Sequence, residues 1–142
     1  MKVLFGCLCD YASIDQGGKL SANGIWDRVF APKFPASLGR TFLAIRVSLE
    51  YDDNDKPNKL DVTLVDADGH SLVSQQLILE HARVLPGAFQ THSFVTELSD
   101  TVVERPGRYT WVLRADLESP YEVPFDVSDN LKEVPPGAAP GL

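Results

Sequence analysis

Cysteine is scarce in this chain: Cys7 and Cys9 are the only two in 142 residues. On an extended strand they point to one face, roughly 7 Å apart, whereas a disulfide holds its β-carbons at about 4 Å. No second pair exists to complete a zinc site of four thiolates. Both are read as small buried apolar residues of a first strand, and free thiols suit a reducing compartment. Long apolar runs are missing too, which excludes a spanning helix. The start, Met1 to Ser13, alternates and ends in Asp-Tyr-Ala-Ser like a strand. It lacks the apolar stretch and small-residue cleavage site of a secretory leader. The expected location is cytoplasmic.

Basic charge is in deficit. Thirteen Lys and Arg face twenty Asp and Glu, for a formal charge of −7. An acidic surface repels phosphate backbones, and the basic residues are scattered, so nucleic acid is not an expected partner. Helical periodicity is absent as well. So are a G-x-S-x-G nucleophile turn and a phosphate loop; Gly17-Gly18-Lys19 lacks both the spacing and the following helix. No catalytic or cofactor-binding residue is assigned, and the chain is read as a non-enzyme.

What the sequence does contain is period-2 alternation broken by turn signals. Thr41 to Glu50 is the clearest strand, with Leu43, Ile45, Val47 and Leu49 inward. Lys59 to Asp66 places Leu60, Val62 and Leu64 inward, and Asp66-Ala67-Asp68-Gly69 closes a hairpin. His70 to Glu80 returns, and its Ser74, Gln75 and Gln76 mark an edge or a bulge. Phe89 to Leu98 is a further strand. Pro106 to Ser128 reads as a hairpin with Tyr109, Trp111 and Phe125 turned to the core. Lys2 to Cys9 is apolar at almost every position, as in a strand covered on both faces. Ser99 to Glu104 has room for one helical turn at most. The expected fold is all-β: a single β-sandwich of about eight mostly antiparallel strands, immunoglobulin-like or a related Greek key, over residues 1–128. Residues 129–142, with Pro135-Pro136, Pro140 and Gly141, are expected to form a flexible tail.

Three clusters invite a chemical reading. Asp52, Asp53 and Asp55 suggest calcium, but Pro57 falls where a helix-loop-helix calcium loop needs Gly. Asp66 and Asp68 lie at the far end of the same strand, roughly 20 Å away at about 3.3 Å per residue, so the two loops cannot share one ion. Turn initiation explains both. His70, His81 and His92 are spaced by eleven and eleven, and that spacing alone brings no three ligands to one metal. No metal ligand is assigned.

The stretches DYAS, GKLSANGIWDRVFAPKFP, VTLVDADG, PGRYTWVLRAD and VPFDVS resemble, in that order, an uncharacterised bacterial family of small all-β proteins. The resemblance runs from Asp10 to Val127. It implies a compact sandwich and supplies no catalytic residues, because the family has no established activity.

The function expected from the residues is a protein–protein interaction or structural module that binds another protein or itself as a homo-oligomer, without nucleic acid, membrane or cofactor. Sandwich edges and the loop from Phe30 to Phe34 offer surfaces for association, with Phe30, Phe34 and Leu38 as apolar contacts, unless the loop folds back over the core. The alternative is a small-molecule or carbohydrate-binding sandwich with Tyr11, Trp26, Tyr51 and Tyr121 as stacking platforms. A site, if present, is expected on Ala31 to Arg40 or Tyr51 to Asn58.

Overall fold

Strand periodicity fixes the architecture, because each alternating segment must bury one face. The computed structural model describes residues 1–116 and 118–130. In chain order the strands are β1 (Lys2–Ile14), β2 (Leu20–Ile25), β3 (Arg28–Phe30), β4 (Ala36–Ser37), β5 (Phe42–Glu50), β6 (Asn58–Val65), β7 (Ser71–Leu79), β8 (Phe89–Glu97), β9 (Val102–Val103), β10 (Gly107–Ala115) and β11 (Tyr121–Ser128). A 3₁₀ turn, Tyr51–Asp53, follows β5, and there is no α-helix among the described residues. The tail expected from residue 129 lies, from 131 onward, outside the described residues.

The chain is all-β, but its order is richer than one sandwich of eight strands. Eleven strands form a four-stranded sheet (β2-β1-β5-β8), a five-stranded sheet (β3-β11-β10-β6-β7) and the short pair β4-β9. The extra strands are two or three residues long, too short to show a period in sequence. Every pairing is antiparallel except that of β3 with β11. The loop after β3 carries the chain from the five-stranded to the four-stranded sheet, the crossover that its length suggested. β9 occupies the stretch where one helical turn had room.

The inner faces of the two large sheets share one core. Leu43, Ile45, Val47 and Leu49 of β5 meet Leu60, Val62 and Leu64 of β6, Trp111 and Leu113 of β10, and Phe125 of β11. In the β10–β11 hairpin Trp111 stands opposite Val123, and Tyr109 opposite Phe125. The Tyr109 hydroxyl donates to the Arg105 carbonyl at 2.6 Å, which pins the entrance of β10. A second cluster covers the other face of the four-stranded sheet: Cys9, Ala12, Phe42 and Ala44 are buried there. β1 is thus covered on both faces, with Leu8 in the main core and Cys9 in the second cluster. Both thiols are free. Burial, then the neighbouring Cys7, push the Cys9 thiol up to about 11.

Candidate functional site

β7 lies at the outer end of the five-stranded sheet, and no strand among the described residues pairs with its other side. Its sequence, SLVSQQLIL, has nine residues with no charge, proline or glycine. Pairing with β6 sets Val73 opposite Leu64, Gln75 opposite Val62 and Leu77 opposite Leu60, so from Val73 on the odd-numbered side chains face inward and Ser74, Gln76 and Ile78 face outward. Ser71 pairs with Val65, so Leu72 is an extra residue and the alternation breaks there. Gln76 Nε2 donates to Asp61 Oδ1 at 2.9 Å, and the Thr63 and Ser74 hydroxyls meet at 3.1 Å, so the middle of the outward face is polar. Ile78 is the exposed apolar side chain on that face, at 64%, while Leu72 and Val73 are each 42% exposed beside the bulge. One register shift, between Leu64 and Val65, bends the start of the pairing.

The other free edges are better protected. β3 is three residues long. β2 is six residues long, with Gly24 at φ 68° inside it. β8 matches β7 in length, but its interior residues are half-buried and it carries His92 and Glu97. Short length, glycine and charge discourage pairing with a foreign strand. β7 has none of these.

The C-terminal end of β7 runs into a cleft of about 450 Å³ beside the Tyr51–Asn58 loop, where Ile78, Lys56, His81 and Arg83 line the wall. Local hydrogen bonds shape this end. Asn58, buried at the start of β6, donates from Nδ2 to the Asp53 carbonyl at 2.9 Å and to the Lys56 carbonyl at 3.3 Å. Its Nδ2 also lies 3.1 Å from His81 Nε2, while His81 Nδ1 lies 2.7 Å from the Ala82 carbonyl. A carbonyl only accepts, so Nδ1 carries the proton and Nε2 accepts from Asn58. The loop after β7 is tied back by Asn54, which donates to the Val84 carbonyl and accepts the Val84 N–H. Arg83 pairs with Asp55 and lies over the Tyr51 ring, 5.9 Å from its centre. Leu85 and Phe89 project from the same end, and Phe89 is 71% exposed.

On the other side of the loop, a cleft of about 490 Å³ is lined by Glu50, Asp53, Lys56 and Asp116 among others. The Met1 ammonium donates to Asp53 and, at 3.3 Å, to Asp116. Lys56 reaches the same two carboxylates at 3.3 and 3.4 Å. Burial acts to raise the Asp53 carboxyl, but the Met1 ammonium, the Glu50 N–H and Lys56 outweigh it and hold it below its ordinary value. These two clefts flank Tyr51 to Asn58, while a third, of about 400 Å³, lies beside Arg28, Arg108 and Asp126.

The other expected residues are placed as follows. Leu38 is 4% exposed, inside the core. Phe34 packs against that core, and Phe30 is half-buried on β3. The crossing loop folds back, so Leu38 is no free contact. Of the four candidate stacking rings, Trp26 and Tyr121 pack against the core. Tyr11 sits edge-on to Phe42, where β5 begins, and Tyr51 follows its end. A nine-residue strand separates those two rings by roughly 30 Å at about 3.3 Å per residue, so no shared stacking face forms. His81 and His92 come together, with ring centres 6.3 Å apart, while His70 lies at the β6–β7 turn. Asp66, Asp68 and His70 converge there, but their donors are committed to the turn. Asp66 Oδ1 accepts the N–H groups of Asp68 and His70, and Arg105 reaches Asp68 at 2.9 Å.

Sequence reasoning read Ser74, Gln75 and Gln76 as the mark of an edge or a bulge and did not make β7 itself a site; β7 is an edge, with a bulge at its start. The signal was the lack of any charge across nine positions. No helix among the described residues is long and apolar enough to cross a membrane. No curated protein matches the chain. The profile of a family of unknown function matches residues 4–128, which include both large sheets from β1 to β11 almost whole, and the chain belongs to that family, DUF6941.

Proposed function

We propose that this protein is a non-enzymatic interaction module that binds an extended protein segment along the free edge of β7. One observation carries the reading: a nine-residue edge strand without charge, proline or glycine, which carries exposed Leu72, Val73 and Ile78. An unpaired edge offers a row of N–H and C=O groups to an incoming strand, and side chains at alternate positions select it. The cleft beside Ile78 gives the incoming chain a place to continue. We read the two large sheets as an immunoglobulin-like or related Greek-key sandwich. The bond from Tyr109 to the carbonyl four residues upstream supports this, because such a corner recurs in those folds. A reducing cytoplasm fits the two free thiols.

Selection of random displayed peptides on the full chain, followed by amide hydrogen exchange with the peptides bound, tests this. In an edge strand every second N–H already points to its neighbour. Bound peptides are expected to protect the alternate amides of Ser71–Leu79, those facing outward. Retained peptides that protect only other surfaces, or no retained peptide, would overturn the reading.

A further inference from the structure

We infer that His81 is an acid-operated latch on the docking edge: a proton on its Nε2 frees the C-terminal end of β7 and weakens strand binding there. The inference rests on the reading of β7 as that edge and adds its regulation. His81 belongs to a chain of hydrogen bonds that runs from β8 to β6. His92 Nε2 lies 3.2 Å from Gln90 Oε1, and Gln90 Nε2 donates to the Ala82 carbonyl at 3.3 Å. His81 Nδ1 donates to the same carbonyl at 2.7 Å, and its Nε2 accepts from Asn58 Nδ2 at 3.1 Å. Backbone carbonyls only accept, and they fix the direction of every bond. The Ala82 carbonyl holds the Gln90 nitrogen, so the Gln90 oxygen faces His92, and His92 Nε2 carries a proton. The Asp53 and Lys56 carbonyls hold the Asn58 amide with its nitrogen toward His81. Rotating that amide would set its oxygen against both carbonyls, and Asn58 is 2% exposed, so water is not at hand to replace them.

Acid therefore breaks one bond of this chain. His92 takes its second proton on Nδ1 and keeps Gln90. His81 takes its second proton on Nε2, where the Asn58 N–H already points, so two donors face each other and the bond is lost. The surrounding charge does not decide the matter. Asp55 and Glu80 line the cleft with Lys56 and Arg83, two carboxylates against two cations. From β8 His92 faces His81, ring centres 6.3 Å apart, and its own charge repels that of His81. The bond bears on β7 through position. Asn58 pairs with Leu79, the last residue of the strand, and His81 follows two residues later. Once the bond is broken, the next side-chain ties lie further along the chain, where Asn54 holds Val84 and Arg83 meets Asp55.

The test follows the full chain by NMR between about pH 8 and about pH 5, the range in which imidazoles titrate. At the alkaline end the His81 ring is expected to carry its proton on Nδ1. On acidification, amide exchange corrected for its intrinsic pH dependence is expected to show Leu77 to Leu79 losing protection about tenfold, while β10 keeps its own. A displayed peptide retained on β7 is expected to bind about tenfold more weakly at the acid end in calorimetry. His81→Gln offers Asn58 an acceptor that never titrates, so both changes are expected to vanish. His92→Gln breaks no acid-sensitive bond, so both are expected to remain. Circular dichroism checks that each variant keeps its fold, and the ring and exchange readings on the unaltered chain stand without them. A neutral His81 protonated on Nε2, an acid loss that persists in H81Q, or one that vanishes in H92Q alone would overturn the latch. A peptide held equally well at both ends of the range would overturn its link to the edge. The ring and exchange readings need no ligand, so they decide the latch even where no peptide is retained and the docking reading falls.

Discussion

At the scale of single residues, two imidazoles meet at the end of the molecule beyond β7. His92 lies half-buried on β8, with Nε2 3.2 Å from Gln90 Oε1 and its ring beside that of His81. Burial, then the His81 charge, hold His92 below its usual value. A histidine that is harder to protonate when folded stabilises the fold above its unfolded value of about 6.5, and that contribution is lost as pH falls through the folded value. Unfolding by urea is therefore expected to show stability falling as pH drops from about 7 to about 5. His92→Gln keeps a polar side chain of similar reach and cannot titrate, so its curve is expected to be flatter over the same interval. An unchanged slope would place the acid sensitivity in the carboxylates around Met1 and Lys56 instead.

At the scale of elements, legibility in the sequence followed the regularity of the period. Thr41 to Glu50, Lys59 to Asp66 and Phe89 to Leu98 were readable to within a residue of β5, β6 and β8, because turn signals bound each segment. The covered run of β1 was readable only to Cys9, and the partner of its second half was not readable: the strand runs to Ile14 because β2 folds back on it, Tyr11 opposite Asn23. Pairing of that kind is a tertiary fact that no local pattern carries. The placement of Leu38 was hidden for the same reason: a leucine in a proline loop is exposed or buried according to what the loop covers. Gly6 shows the converse, a residue whose need appears only once the sheets are packed. A Cβ added there would come within 2.7 Å of Leu113 Cδ1 and 3.3 Å of Val123 Cγ2, where β1 passes over β10 and β11. Leu113 is fully buried and has little room to yield. Gly6→Ala is expected to lower stability by about 1–3 kcal/mol in chemical denaturation, the usual effect of overpacking. Gly69→Ala gives a contrast, since a Cβ there meets nothing and only its φ of 84° disfavours the change.

At the scale of the whole molecule, charge and edge act apart. The chain carries −7, while β7 contributes only serine, glutamine and aliphatic side chains. The repulsion that an acidic segment meets is long-ranged, with a screening length of about 10 Å at 0.1 M salt. The edge itself has no ion pair to lose. Salt then acts on the repulsion and on nothing that holds an incoming strand. Raising salt from about 20 mM to about 300 mM is expected to tighten a retained acidic peptide several-fold and to leave a neutral one unchanged, in isothermal titration calorimetry with the full chain. Binding at the charged end, where Lys56 and Arg83 face Asp53, Asp55 and Asp116, would behave in the opposite way, because screening weakens ion pairs between an acidic peptide and those two cations. The sign of the salt effect therefore separates the strand edge from the carboxylate-rich clefts, and an acidic peptide that loosens with salt would move the site off β7.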